Sequence, residues 1–199
     1  MKYIPMKWLH FFLVFIAMLL DGAIALNAAP VLFHQPMSAS PFLTIIVLII
    51  PIIGGFADQL SKQSLYGAAI VSGLLFDLFY NGVVGIAMVG FPLVVWIALI
   101  IKKYFATNFG SAVLTWFIAL SAYLFFDYMA FGIINMANAN LSSFIIFHMF
   151  PTILVNLLIL LVVYNFLVWL YKKTLQEDIA NYTIADKSLD NRIPLGRRK

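Results

Sequence analysis

Residues 65–90 read LYGAAIVSGLLFDLFYNGVVGIAMVG, a glycine-rich apolar run that contains a single acid, Asp77. Small residues recur four apart within it, as in Ala69 and Gly73, and this spacing lets helix backbones approach closely in lipid. An ionisable side chain inside a membrane segment is costly and needs a structural or functional reason. The run therefore predicts the packing centre of an all-α integral membrane protein.

The composition of the 199-residue chain excludes an ordinary soluble domain. Hydrophobic residues make up 64% of it and charged residues only 10%, against about 25% charged residues in soluble proteins. In water, so apolar a chain would expose large apolar patches. The lack of cysteine removes disulfides, thiolate catalysis and cysteine metal sites. The net charge of +4 comes from residues that membrane topology accounts for, so we expect no nucleic-acid partner.

Six apolar segments predict six transmembrane helices, because a helix needs about 20 residues to cross the hydrocarbon core. The predicted spans are residues 8–26, 42–57, 65–80, 86–101, 112–134 and 144–171. Asn81 and Gly82 mark the turn between the third and fourth spans. The first span is longer than the apolar region of a cleaved signal peptide and contains Asp21, which favours its retention.

The lysines and arginines give the predicted orientation, since such residues are retained on the cytoplasmic side. If both termini are cytoplasmic, all twelve fall on that side and the outer segments carry none. They are Lys2, Lys7, Lys62, Lys102, Lys103, Lys172, Lys173, Lys187, Arg192, Arg197, Arg198 and Lys199. Residues 65–80 would rise only about 24 Å, so a re-entrant hairpin over 65–101 is an alternative that leaves the same ends inside.

Residues 174–199 are polar and of mixed charge. We expect a disordered cytoplasmic tail, because such a segment cannot bury enough apolar surface to fold. The alternative is that Arg197, Arg198 and Lys199 attract anionic lipid or an acidic cytoplasmic partner.

Asp21, Asp77 and Asp127 lie within the predicted spans, each toward the outer end of its helix. One interpretation is a proton or cation relay, or a binding site reached from outside. The interpretation that we favour is structural, with each acid hydrated near the interface or hydrogen-bonded to a neighbouring helix. His148, near the outer start of the last span, can approach this group.

No catalytic residue, metal site or cofactor is expected. A metal needs several converging ligands, and the spacing of the three histidines provides none. The chain has no G-x-S-x-G nucleophile elbow and no phosphate-binding glycine loop. An intramembrane enzyme acting on lipid would need a nucleophile with a base or a metal, and neither can be placed.

The central stretch resembles a known family. G-L-L-F-D at 73–77 followed by N-G-x-x-G at 81–85 is similar to the bacterial rod shape-determining protein MreD. M-F-P-T-I-L-V-N at 149–156 is similar to the opening of the last helix in the Gram-positive form of that family. The resemblance covers about residues 5–172, whereas the tail after Lys173 is longer than the family pattern.

The resemblance implies a non-enzymatic scaffold subunit of the cell-elongation machinery, which synthesises peptidoglycan and sets cell shape. It implies a multi-pass protein of the cytoplasmic membrane whose partners are the lipid bilayer, the bitopic protein MreC and, around it, MreB, RodA and a class B penicillin-binding protein. The candidates for helix packing or a partner interface are Ala69, Gly73, Asp77, Asn81, Gly82 and Gly85. The candidate intramembrane polar residues are Asp21, Asp127 and His148.

The family's fold also resembles the substrate-binding subunits of energy-coupling-factor vitamin transporters, and such a subunit is the alternative function. The outer acids and residues 27–41 would then enclose a small molecule. Those subunits carry alanines four apart in the first span to dock their coupling subunit. The corresponding positions here are Ala17, Asp21 and Ala25, and the acid at the middle position counts against this alternative.

Overall fold

The computed structural model describes residues 5–134 and 140–190, with side chains as far as residue 175. Within these ranges the chain is helical and forms no strand. The helices are α1 (Met6–Asn27), α2 (Ala29–Leu32), α3 (Leu43–Ile53), α4 (Lys62–Phe76), α5 (Ile86–Lys102), α6 (Phe109–Ile133), α7 (Leu141–Phe144) and α8 (Phe150–Asp190). A 3₁₀ turn covers Ala57–Gln59, and π turns cover Asp77–Asn81 and Ile145–Met149.

In the described ranges, three helices are long and apolar enough to cross a membrane. They are α1, α6 and the continuous helix Leu141–Leu175, with mean hydropathies of 2.3, 1.8 and 2.6. Shorter apolar helices are α3, with 11 residues, and α5, with 17. The segment predicted over 42–57 contains a shorter helix than expected, because Gly54 caps α3 and Gly55 adopts a positive φ of 85°.

α3 lies at the centre of the bundle, and each of its 11 residues is buried. It packs against α1, α4, α5, α6 and α8. At about 16 Å long, it is too short to reach both faces of a hydrocarbon core of about 30 Å. Surrounding protein must therefore supply hydrogen-bond partners for its ends, since lipid offers none.

Side-chain contacts show which helix ends lie next to each other at the two ends of the bundle. At one end, His10 Nδ1 of α1 lies 2.7 Å from the Tyr171 hydroxyl of α8, and Phe56 stacks on the same tyrosine ring. At the other end, Asp21 of α1 bonds to the first turn of α3, and Tyr80 donates to a backbone carbonyl of α1. α1 and α4 thus run antiparallel to α3 and α8.

The two ends of the bundle differ in charge. Lys62, Lys102 and Lys103 line one cleft at what we call the lysine end. Asp21 and Asp127 line a cavity at the opposite end, which we call the acid end, and Asp77 lies beside it, bonded to a residue of the cavity wall. The three acids, which the sequence predicts toward the outer ends of their spans, thus lie at one end of the bundle, and the side of the membrane that this end faces stays a prediction.

The last helix continues beyond Lys173 as far as Asp190, where the sequence predicts a disordered tail. The stretch between these two residues contains neither proline nor glycine, so nothing in it terminates a helix. Residues 191–199, with the basic cluster at 197–199, lie outside the described residues.

Candidate functional site

Asp21 caps a helix to which it does not belong. Its carboxylate accepts hydrogen bonds from the backbone N–H groups of Leu43 and Thr44, at 2.6 and 2.9 Å. The Thr44 hydroxyl also donates to it, at 2.6 Å. The first N–H groups of any α-helix lack partners within the helix, and Phe42, the residue before α3, provides no side-chain cap. Asp21 therefore satisfies the buried start of α3 from α1.

α8 supplies the remaining partners of the segment that enters α3. Asn156 Oδ1 accepts from the Phe42 N–H at 2.6 Å, and Asn156 Nδ2 donates to the Ser40 carbonyl at 2.7 Å. The Thr152 hydroxyl accepts from the Ser40 N–H at 3.2 Å. Both α8 side chains are completely buried. Residues 40–44 thus pass between α1 and α8 with their polar backbone groups bonded to side chains.

His148 continues this set of contacts toward the end of the bundle. Its Nδ1 lies 3.0 Å from the Ser38 carbonyl oxygen and 3.2 Å from the Ser38 hydroxyl. The Ser38 N–H donates to the carbonyl of Phe147 at 2.8 Å. The chain between α2 and α3 is therefore anchored to the start of the last helix.

Asp77 makes the corresponding contacts in the α4–α5 hairpin. It accepts from the N–H groups of Gly85, Ala87 and Met88 at 2.8 to 3.0 Å, and from the side-chain amide of Asn81 at 2.7 Å. α5 has no side-chain cap of its own. Because Asp77 ends α4 and caps α5, a single buried carboxylate closes the hairpin.

Glycines allow the two arms of this hairpin to meet. Gly82 and Gly85 adopt positive φ angles of 67° and 118°, which favour glycine. A Cβ atom on Gly73 would clash with the Ala87 carbonyl oxygen and would lie 2.7 Å from the Ala87 carbonyl carbon. Close approach of two backbones thus explains the glycine at position 73.

The predicted packing or interface residues therefore form one structural unit. Ala69 and Asp77 are fully buried, and Gly73 contacts α5 directly. Asn81, Gly82 and Gly85 build the turn. Ala69, Gly73 and Asp77 serve contacts inside the chain, whereas Gly82 is exposed in the turn, and an interface with another protein at this turn stays a prediction.

A polar cavity of about 310 Å³ opens at the acid end. Asp21, Asp127 and His148, which the sequence predicts as neighbours, all line it together with Tyr80. The Asp127 carboxylate makes no hydrogen bond within the described part of the chain, whereas that of Asp21 is fully engaged with α3. The cavity thus presents one acid that is available to a ligand.

Metal binding has no support in this cavity. Among residues 5–134 and 140–175, no group of three or more histidine, aspartate or glutamate side chains could hold a metal ion.

An apolar groove of about 600 Å³ separates α6 from α8 over part of their length. Ring contacts join the helices elsewhere, Phe109 with Tyr164 and Tyr128 with Phe144, at centroid distances of 5.2 and 4.5 Å. Residues that line the groove include Val113, Trp116, Phe117, Ile153, Leu154 and Leu157. Trp116 Nε1 has no acceptor in the described residues, but this atom is buried and is not presented on the surface of the groove.

The sequence interpretation missed Thr152 and Asn156. They lie four residues apart, which places them on one face of a helix, and two polar side chains in an apolar run are a signal of helix–helix bonding in membranes. Tyr80, whose hydroxyl donates to the Met18 carbonyl at 2.8 Å, was also missed. Its partner lies 62 positions away, and no local pattern indicates it.

Comparison with known proteins identifies one family. The family model described as rod shape-determining protein MreD matches residues 5–174. No curated protein and no solved structure matches the chain significantly. The matched range contains all of the side-chain contacts described above, and the likeness to energy-coupling-factor subunits stays a prediction.

Proposed function

The chain belongs to the MreD family of rod shape-determining proteins, and we propose that it is a non-enzymatic scaffold of the membrane machinery for cell elongation. The observation that carries this proposal is the family match, which spans nearly the whole chain. A role in rod shape determination follows from membership. We also propose that the bundle binds the transmembrane helix of a bitopic partner of the MreC type, with MreB, RodA and a class B penicillin-binding protein around it.

We further propose that the chain crosses the cytoplasmic membrane six times, with both ends in the cytoplasm. The antiparallel course of α1 and α4 relative to α3 and α8 supports six crossings. α4, of 15 residues, continues directly into a five-residue π turn, which lengthens the third crossing. Lys62, Lys102 and Lys103 gather at one end, and the preference of lysine for the cytoplasmic side supports the orientation.

The groove between α6 and α8 is the surface that best suits a partner helix. It is apolar, and exposed lining residues such as Phe117 and Leu154 place it on the outside of the bundle. In lipid, helices associate through close packing as well as interhelical hydrogen bonds, and the groove offers an apolar surface for close packing.

Co-purification with the native MreC-type partner tests this proposal. Leu154→Trp fills the groove, whereas Val162→Trp places the same side chain at an exposed position of α8 outside it. We expect Leu154→Trp to reduce recovery of the partner about tenfold or more and to impair rod shape, and Val162→Trp to leave both unchanged. Normal recovery with Leu154→Trp, at normal expression, would contradict the proposal. Gly73→Leu is a poorer test because Gly73 is packed within the chain.

A transporter substrate-binding subunit is the second candidate function, and the polar cavity at the acid end favours it. The cavity has room for a small molecule, and Asp127 has an available carboxylate. Mass spectrometry of the protein purified from native membranes would detect such a compound. A molecule that is released by Asp127→Asn and retained by the matched surface variant Asp58→Asn would favour this function over the scaffold.

A further inference from the structure

A second cleft, of about 390 Å³, lies at the lysine end between the start of α4 and the end of α5. Lys62 is the first residue of α4, and Lys102 and Lys103 lie at the last turn of α5. All three line the cleft. Antiparallel packing of the hairpin thus brings cations from two helix ends to one place.

Two of these cations are unpaired within the described residues. Lys102 Nζ lies 3.0 Å from Asp58 Oδ2, and its side chain is only 22% exposed. Among the residues that the structure describes, Asp58 is the only acid that lines the cleft. Lys62 and Lys103 are exposed and form no ion pair there. The start of α4 adds the positive end of a helix dipole on the same side, so the cleft favours an anion.

The remaining walls are apolar and aromatic. Leu65, Tyr66, Trp96 and Leu99 extend the cleft away from the lysines. The Trp96 side chain is 52% exposed, and tryptophan is enriched where the hydrocarbon core meets the headgroups. An inorganic anion would use only the basic end, whereas a lipid with an anionic head and acyl chains would use both parts.

We propose that this cleft binds an anionic phospholipid. The phosphate lies between the ammonium groups of Lys62 and Lys103, and an acyl chain lies along Tyr66 and Trp96. Asp58 holds Lys102 at the rim, which leaves the other two lysines for the headgroup. Basic pockets between transmembrane helices on the cytoplasmic side bind lipid headgroups in this manner. The proposal does not depend on the scaffold or transporter function.

Thermal unfolding of the purified full-length protein in detergent tests the proposal, with added phosphatidylglycerol, phosphatidylcholine or inorganic phosphate. We expect phosphatidylglycerol alone to raise the unfolding midpoint. Lys62→Gln with Lys103→Gln should weaken its apparent affinity about tenfold or more. The pair Lys7→Gln with Lys173→Gln, which removes the same charge at exposed positions outside the cleft, should leave it unchanged.

Further variants separate the possible outcomes. Lys62→Arg with Lys103→Arg should restore binding, and Trp96→Ala should weaken it while both lysines remain. If both glutamine pairs lowered the apparent affinity for phosphatidylglycerol equally, the proposed site would be overturned, because the lipid would then be attracted by the overall positive charge of the protein. Equal stabilisation by inorganic phosphate and by phosphatidylglycerol would overturn the assignment to a lipid. Glutamine variants that unfold at the wild-type midpoint without lipid establish that the fold is intact.

Discussion

Asp21 Oδ2 accepts two hydrogen bonds from Thr44, one from its backbone N–H at 2.9 Å and one from its hydroxyl at 2.6 Å. The two residues are 23 positions apart and belong to different helices. The start of the buried helix α3 therefore depends on α1 more than on the residues that flank it.

Thr44→Val removes the hydroxyl of Thr44 and preserves the shape of the side chain, so it measures what this hydroxyl contributes to the free energy of unfolding. We expect it to lower the free energy of unfolding in detergent by about 1–3 kcal/mol, since a hydrogen bond to a charged or buried acceptor is lost. Thr115→Val should cost less, because the Thr115 hydroxyl bonds only to a carbonyl of its own helix, that of Ser111. In a protein that already carries Asp21→Ala, Thr44→Val should lower the free energy of unfolding by less. An equal loss with and without Asp21→Ala would contradict the hydrogen bond between Thr44 and Asp21.

Alanine in place of Gly73 should destabilise the α4–α5 hairpin. The added Cβ meets the backbone of Ala87 and Met88, which cannot rotate away as a side chain can, and overpacking of this kind costs about 1–3 kcal/mol. Gly67→Ala is the matched control on α4, because its Cβ would meet only the Phe11 ring at 3.7 Å. Denaturant titration of both variants should show Gly67→Ala to be neutral or stabilising, and similar losses would contradict the packing.

Asp77→Asn and Asp127→Asn should differ sharply in stability. The amide at position 77 retains one acceptor and turns a donor toward backbone N–H groups, and each orphaned N–H costs about 1–3 kcal/mol. Asp127 has no hydrogen bond to lose in the described residues, so its replacement should change the free energy of unfolding by less than about 0.5 kcal/mol. Thermal unfolding of the two variants measures the difference, and equal midpoints would argue against Asp77 as the cap of α5.

Cysteine labelling can distinguish six crossings from a re-entrant hairpin, because the natural chain has no cysteine. Val84→Cys lies in the turn between α4 and α5 and is 55% exposed. In intact cells, a membrane-impermeant maleimide should label it from outside. Tyr104→Cys, which follows α5 at the lysine end, should react only after the membrane is permeabilised. Protection of Val84→Cys in intact cells would favour the re-entrant hairpin.

Features encoded by neighbouring residues could be predicted from the sequence. The predicted segments 8–26, 86–101 and 112–134 agree with α1, α5 and α6 to within three residues, because apolar runs and polar turns are local signals. The turn after Asn81 is equally local. The contacts of Asp77 fall within eleven positions along the chain, and a structural role for this acid could be argued from the hairpin alone.

Features that depend on distant residues could not be predicted. Pro51 and Gly54-Gly55 indicate a disturbed helix over 42–57, but the early end of α3 is tolerated only because the other helices surround it. Its entry segment bonds to Asn156, which is 114 positions from Phe42. One sequence read by itself gives no indication of such a pair, so the arrangement of the acid end follows only from the three-dimensional structure.

The contacts of Asn156 also determine when the fold can be completed during synthesis. α3 leaves the ribosome long before α8 is made, and until then Ser40 and Phe42 lack the partners that α8 provides. Unpaired backbone groups are costly inside a membrane, so the first half of the chain reaches its final packing only after the last helix has inserted. Nascent chains that stop before α8 therefore carry an incomplete core.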